Sequence, residues 1–279
     1  MQASHSSISW APPTGVLGGI VAEAYERVDR LRADRELVAA LEREAGSAQL
    51  PPSFLSALRQ PMVSVVAEVK RRSPSKGTIN PSLSTGRQAS AYVAGGAAAV
   101  SVLTEPVHFG GSVDDLREAR AAVAVPLLRK DFHVDELQLI EARAAGAAAA
   151  LLIARALPPD TLHRLVAFAL SIELEPLVEV RTTVELERAV AAGARVIGVN
   201  NRDLETLNIE PEVGDTLVRL IPAACVAIAE SGVRDMADVE RASRAGADAV
   251  LVGSSVSASA DPAAAVKSLT SVPRSGRGG

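Results

Sequence analysis

Seven stretches of the chain share one design: an apolar, β-prone run that ends in an ionisable or polar residue. They are Ser64–Lys70, Ala99–Glu105, Val125–Asp131, Pro176–Glu179, Val196–Asn200, Val226–Ser231 and Ala249–Ser254. A strand buried on both faces excludes charge from its middle, so chemistry collects where the strand emerges. In a closed parallel barrel those exits converge on one face, and active sites form there.

A second pattern sets the number of strands. Gly96-Ala97, Gly146-Ala147, Gly193-Ala194 and Gly246-Ala247 each follow an Ala-rich helical segment and precede a strand. Their spacing is roughly 50 residues, the length of two βα units. Glycine there closes a helix in the left-handed conformation. Four double units make eight strands, expected near 64–70, 99–104, 125–130, 148–154, 175–180, 196–200, 225–230 and 249–253. Helical periodicity fills the gaps, at 83–94, 112–123, 135–145, 160–170, 183–192, 212–220, 235–245 and 262–269. Ser112, Asp135, Asp160, Thr182 and Asp261 stand where helix caps belong. Alternating strands and helices with right-handed crossovers imply a parallel sheet.

The expected fold is therefore α/β: a (β/α)8 TIM barrel with an N-terminal helical extension over residues 16–60. The extension joins a charged amphipathic stretch, Val16–Gly46, to Pro51-Pro52 and a short helix at Ser53–Arg59. It suits a lid over the barrel mouth or a plug under its base. Residues 1–15 are expected to form a flexible tail, 16–270 a single barrel domain, and 271–279 a disordered tail.

The 279 residues are ample for one such barrel. A net charge of −4 offers no basic surface for nucleic acid. The longest apolar stretch, Ala144–Ala154, is too short to cross a bilayer. Met1–Trp10 carries no Lys or Arg and leads into no apolar run, unlike a signal peptide. The one cysteine, Cys225, cannot form an internal disulfide, and no Cys/His cluster has metal spacing. The expectation is a cytoplasmic protein, monomeric or weakly homo-oligomeric, without metal or cofactor and with no nucleic-acid or membrane partner.

Glu68 and Lys70 are two residues apart on one strand and so point to the same side. If that side is the barrel lumen, they form a charge pair at the mouth; otherwise they are a surface pair. The polar loop Arg71–Gly77 follows. Lys130 closes another apolar run, where burial lowers an ammonium pKa and carboxylates raise it. Glu179 and Glu230 end two further strands and would face Lys70 and Lys130 across the mouth. Two lysines and three glutamates in a half-dry pocket suit general acid/base work. Ser231-Gly232 and Gly253-Ser254 let backbone N–H groups approach an anion, as in the phosphate sites of many barrels; plain tight turns are the rival. Asn200-Asn201-Arg202-Asp203 offers amide and guanidinium donors, with Arg202 either clamping a carboxylate or pairing with Asp203. His108 and His133 fall in loops near the mouth without an evident partner.

Ala67–Gly77, read Ala-Glu-Val-Lys-Arg-Arg-Ser-Pro-Ser-Lys-Gly, strongly resembles the first-strand signature of the indole-3-glycerol phosphate synthase family. Ser101–Pro106, Leu127–Phe132, Leu177–Val180, Gly198–Leu204 and Ala229–Val233 match the family's later motifs in order, and the resemblance covers residues 16–270. It implies a phosphorylated small-molecule substrate, 1-(2-carboxyphenylamino)-1-deoxyribulose 5-phosphate, closed to an indole with loss of carbon dioxide and water. By motif, Lys130 would be the acid at the carbonyl oxygen, and Glu179 the group that handles protons as hydroxyl leaves. Glu68 and Lys70 would be a coupled pair near the reacting carbons, with Glu230 organising the pocket. Asn200 and Arg202 would hold polar groups; Phe109, Phe132, Leu204 and Leu207 would wall the aromatic ring. Ser73, Gly232, Gly253 and Ser254 would grip phosphate, with Ser231 close by. A phosphoribosylanthranilate isomerase-like barrel, or a non-catalytic phosphate-binding barrel, would share that grip. His108, His133, Arg155, Arg181 and Ser257 depart from the family pattern, and added charge near the mouth would bear on which anthranilate ring fits.

Overall fold

The structure, a computed structural model, describes residues 10–74, 77–80 and 83–277. Residues 1–9 of the expected N-terminal tail, Ser75 and Lys76 of the polar loop, and residues 278–279 of the expected C-terminal tail lie outside them.

Three helices precede the sheet: α1 (Gly15–Ala33), α2 (Arg35–Ser47) and α3 (Phe54–Ala57). The first half of the barrel runs β1 (Ser64–Val69), a small hairpin of β2 (Arg72–Ser73) and β3 (Gly77–Thr78), then α4 (Thr85–Ala94), β4 (Ala99–Leu103), α5 (Val113–Ala122), β5 (Leu127–Lys130), α6 (Glu136–Ala144) and β6 (Ala149–Ile153). After a 3-10 turn at Ala154–Ala156 come α7 (Pro159–Ser171), β7 (Glu175–Val180), α8 (Thr183–Ala191), β8 (Val196–Asn200), α9 (Pro211–Leu220), β9 (Val226–Glu230), α10 (Met236–Ala245), β10 (Ala249–Val252), α11 (Ser254–Ser257) and α12 (Pro262–Lys267).

Eight parallel strands close in the order β1-β4-β5-β6-β7-β8-β9-β10, with β10 pairing back onto β1. The expected strands are all present. The one expected from Val125 enters the ladder at Leu127, just past Pro126, which has no N–H to give. The Gly-Ala repeat acts as expected: Gly96, Gly146, Gly193 and Gly246 have φ of 97°, 84°, 85° and 95°. Ser112, Asp135, Thr182 and Asp261 cap their helices. Asp160 does not. Pro158 takes the cap position of α7 and Pro159 its first turn, where a fixed φ starts the helix without a side-chain acceptor.

The amphipathic stretch of the N-terminal extension forms two helices. Asp34, at φ −90° and ψ 82°, ends α1, and its side chain accepts the Leu37 N–H to begin α2. The first of these helices is a lid. Arg27 grips Asp131, at the exit of β5, through contacts of 2.8 and 3.3 Å, and His108 Nε2 lies 2.9 Å from Glu23. Leu17, Ile20, Val21, Ala24 and Val28 form its buried stripe. The short α3 serves the opposite end: Phe54 and Leu58 are buried, and Ala57 O accepts from Ser64 at the entrance of β1.

The segment after residue 270, expected as a disordered tail, makes contacts with the barrel as far as Arg277. Val63 N donates to Val272 O at 2.8 Å, and Ser243 Oγ donates to Pro273 O at 2.6 Å. Val272 is buried, and Arg274 and Arg277 both pair with the buried Asp248. Composition suggested a loose tail; paired guanidinium groups and a buried valine bind it to the barrel's N-terminal face.

Candidate active site

A cavity opens where the strands exit, under α1, and every expected site residue except Glu230 lines it. Alternation on the strands produces this convergence, because residues of one parity point into the lumen.

The centre is Lys130. Its Nζ donates to Glu230 Oε2 at 2.6 Å and lies 3.7 Å from Glu68 Oε2 and 3.9 Å from Glu179 Oε2. Glu68 binds Lys70 on its other oxygen at 2.6 Å. Glu230 sits behind this front row at 1% exposure, reaching Lys130 but not the cavity wall.

Burial and charge divide the protons. Burial would strip the Lys130 proton, but Glu230, Glu68 and Glu179 together outweigh it and hold the ammonium above the ordinary lysine range. Burial pushes Glu68 up, yet Lys70 and Lys130 overcome this and leave it below the usual carboxylate range. Glu179 goes the other way. Burial raises it, neighbouring Glu230 adds to the rise, and the pull of Lys130 and Asn200 is too weak to cancel them. Glu179 is thus the carboxyl that burial and Glu230 push toward its protonated form, while Glu68 is pushed toward its ionised form.

The polar rim is held by short bonds. Asn200 Nδ2 donates to Glu179 Oε1 at 2.9 Å, while Asn200 Oδ1 accepts from Arg202 N at 2.9 Å. Arg202 donates to Leu207 O at 2.8 Å. No Arg202–Asp203 pair forms among the described residues; Asp203 instead lies 3.7 Å from Arg181 and accepts the Glu205 and Thr206 amides.

Phe109 and Phe132, with ring centroids 6.2 Å apart, form an apolar wall with Leu204 and Leu207. Sequence reasoning missed its roof, supplied by Val16, Leu17 and Ile20 of α1. The helical stripe was visible in the sequence, but not the barrel end it would cover. It also missed Ile209, Arg234 and Ser255 on the cavity margin, which carry no strand-end signal.

Ser73, Ser231, Gly232, Gly253 and Ser254 share another part of the cavity lining. Ser231 and Gly232 are both left-handed, at φ 63° and 87°, and Asn201 Nδ2 fixes the Ser231 carbonyl at 2.8 Å. Gly253 has a further task. A Cβ there would fall 2.4 Å from Glu68 Oε1 and 3.1 Å from Lys70 Nζ, so its missing side chain makes room for that ion pair.

The residues that depart from the family pattern stay out of the cavity lining. Arg155 bonds Ala11 O and Glu205, each at 2.7 Å, and Arg181 bonds Asn201 O and Glu210, each at 2.9 Å. His133 is buried on Leu151 O at 2.7 Å and pushed down to about 3 by burial, with Arg129 adding to the effect. Ser257 Oγ donates to Glu68 O at 2.8 Å. The charge expected near the aromatic pocket is thus spent on loop and lid contacts.

Residues 17–269 match the family described as indole-3-glycerol phosphate synthase. The chain is 46% identical over 256 residues to indole-3-glycerol phosphate synthase 2 of Streptomyces coelicolor, covering 92% of this chain and 99% of that one. It is 52% identical over 209 residues to the indole-3-glycerol phosphate synthase of Nocardioides sp., covering 75% and 80%. Among solved structures, 3-hexulose-6-phosphate synthase from Salmonella typhimurium shares the fold, with a TM-score of 0.60 at 14% identity over 74% of this chain and 96% of that one.

Proposed function

The chain belongs to the indole-3-glycerol phosphate synthase family, and from that premise we propose a role for each group in the cavity. The activity is that of a carboxy-lyase of tryptophan biosynthesis, acting on 1-(2-carboxyphenylamino)-1-deoxyribulose 5-phosphate. The observation that carries the assignment of roles is the Lys130 ammonium, held 2.6 Å from Glu230 with Glu68 and Glu179 within 3.9 Å, beside an apolar slot and a glycine-lined pocket.

The anthranilate ring lies between Phe109, Phe132, Leu204, Leu207 and the roof of α1. Its carboxylate meets Arg202, and Asn200 steadies the ribulose hydroxyls. The phosphate rests on the backbone of Gly232 and Gly253 with the hydroxyls of Ser73, Ser231 and Ser254. Lys70 lies near enough to Gly253 to add a positive charge. Anchors at both ends hold the ring carbon that bears the carboxylate against the ketone carbon, which lowers the entropic part of the barrier.

Ring closure then forms one carbon–carbon bond. The aniline nitrogen pushes electrons through the ring to the ketone carbon, and the carbonyl oxygen takes a proton from Lys130 to become a hydroxyl. The carboxylate departs as carbon dioxide, and its bonding electrons restore the aromatic ring. Glu179, which holds a proton, gives it to that hydroxyl, which leaves as water. Loss of a proton from the adjacent methylene carbon completes the indole; the neutral Lys130 amine, beside the ionised Glu68, accepts it. Glu230 stays behind Lys130 and keeps the ammonium charged for the first step.

Supplying the purified protein with that substrate and following indole absorbance and fluorescence tests the function. Indole product is expected. An isomerised sugar phosphate as product would select the isomerase-like barrel, and phosphate-ligand binding without turnover would select the non-catalytic one.

The same reading includes a cytoplasmic location and a monomer or weak homo-oligomer. No helix among the described residues is long and apolar enough to cross a membrane. Sedimentation across a concentration series tests the oligomeric state. We also take residues 16–277 as one folding unit, which limited proteolysis would leave intact.

A further inference from the structure

We infer that Gly198, in the middle of β8, is the seat that holds the Glu230 carboxylate against the Lys130 ammonium, and is therefore a positioning residue for ring closure. The inference rests on the reading of Lys130 as the acid. Glycine inside a strand weakens it, because it adds chain entropy and offers no side chain to pack. Gly198 is also outside the left-handed region, so its backbone does not demand glycine. The remaining reason is space. A Cβ on Gly198 would lie 2.0 Å from Glu230 Oε1, 3.1 Å from its carboxyl carbon and 3.2 Å from Leu177 Cδ1.

Something would have to move, and the surroundings decide what. Gly198 is laddered to Glu179 on one side and Ile228 on the other within a closed barrel, so the strand is the stiff partner. The Glu230 side chain is the soft one, but at 1% exposure it has no route to solvent. Its Oε2 is engaged with Lys130, and no nitrogen or hydroxyl donor among the described residues binds Oε1, which rests over the bare Gly198 Cα. A methyl at 198 therefore shifts the carboxylate and lengthens the Lys130–Glu230 contact. The attraction that keeps Lys130 protonated weakens, and the carboxyl of Glu179, which hydrogen-bonds Glu230, loses its neighbour as well.

Gly198→Ala is the test, with two readouts. In the unliganded protein, the Lys130 ammonium titration, followed by carbon-13 signals of the lysine Cε, should move to lower pH by about one unit, a tenfold change in its ionisation constant. In turnover, kcat should fall by about 10–100-fold while KM changes by less than about threefold, because the apolar slot and phosphate contacts are untouched. Adding Glu230→Asp, one methylene shorter, should return part of both. An unchanged titration together with an unchanged kcat in Gly198→Ala overturns the seat. A shifted titration with unchanged kcat also overturns the inference, because Lys130 stays charged near neutral pH and the seat would then not position it for ring closure. If Gly198→Ala alone does not fold, the double variant decides: a recovered fold supports the seat, and an unfolded double variant places the clash elsewhere and overturns it.

Discussion

Arg129, Lys130 and Asp131 are consecutive at the exit of β5, yet they belong to two clusters of opposite character. Arg129 and Asp131 turn toward the helices. Arg129 donates to Thr104 Oγ1 at 3.1 Å and Gln138 O at 2.9 Å, and pairs with Glu141 at 2.7 Å. Asp131 accepts from Arg27, from Thr104 Oγ1 at 2.7 Å and from Phe132 N at 2.8 Å. Although burial opposes it, Arg129 and Arg27 hold the Asp131 carboxyl well below the usual carboxylate range. Lys130 points the other way, into a group of three buried carboxyls shared by two lysines, where Glu230 Oε1 takes no bond from either lysine. The network at Arg129 and Asp131 fixes structure, because each of their own side-chain nitrogens and oxygens has a partner. An unsaturated one keeps a proton loose enough to move. Pairing, rather than burial, separates scaffold from chemistry here.

The sharpest way to break that contrast is Lys130→Ala. Its turnover should fall by about 10²–10⁴-fold, the scale of general acid catalysis, with the far-ultraviolet spectrum and cooperative urea unfolding retained. Near-normal turnover would remove Lys130 from its role. Asp131→Ala should show the reverse emphasis. It leaves the Arg129 guanidinium buried against fewer acceptors, and should cost about 3–5 kcal/mol of stability by urea unfolding, the range for breaking a buried pair.

Acidity separates the two clusters by sign. Asp131 is depressed in the fold, so its contribution is fully present above its unfolded pKa and is lost as pH falls through the lower folded value. Glu179 is raised, so above its unfolded pKa the unfolded chain releases a proton that the fold retains. Stability from that site therefore declines as pH rises, until the folded group also ionises. Unfolding measured across pH should show Asp131→Asn flattening the acid side and Glu179→Gln flattening the neutral side. Glu179→Gln, which has no proton to give to the leaving hydroxyl, should also lower turnover at every pH, by about 10²-fold or more. Identical pH profiles for parent and variants would dissolve the distinction.

The smallest effect belongs to the pin between clusters and lid. Arg27→Ala frees one contact of α1 while Arg129 still serves Asp131, so KM should rise about fivefold, matching roughly 1 kcal/mol for a partly exposed pair. An unchanged KM would mean that the apolar stripe of α1 alone holds the roof.

The strand exits were legible because their signal is local: an apolar run, then charge. Glu68, Lys130 and Glu179 could be placed at one rim from that rule alone. Which carboxyl keeps the proton could not, since it depends on distances of 2.6 to 3.9 Å between residues on four strands. Glu230 followed the same strand-end rule as Glu179, and only packing over Gly198 put it in the back row. The break at Asp34, the lid position of α1 and the binding of residues 271–277 were illegible for a related reason. Each rests on a partner far away in sequence, such as Asp131 for Arg27 or Asp248 for Arg277.

The β1–β10 seam, where Ser64 meets Ala249 and Ala67 meets Val252, joins the earliest barrel strand to the latest. Glu68 and Lys70 leave one edge of that seam, and Gly253 and Ser254 leave the other. Half a barrel would own one side of the anion cradle and lack its complement. Pairings this distant form slowly during folding. Recovery of indole formation after dilution from denaturant would thus time the final zippering of the cylinder, a step that helix content registers too early.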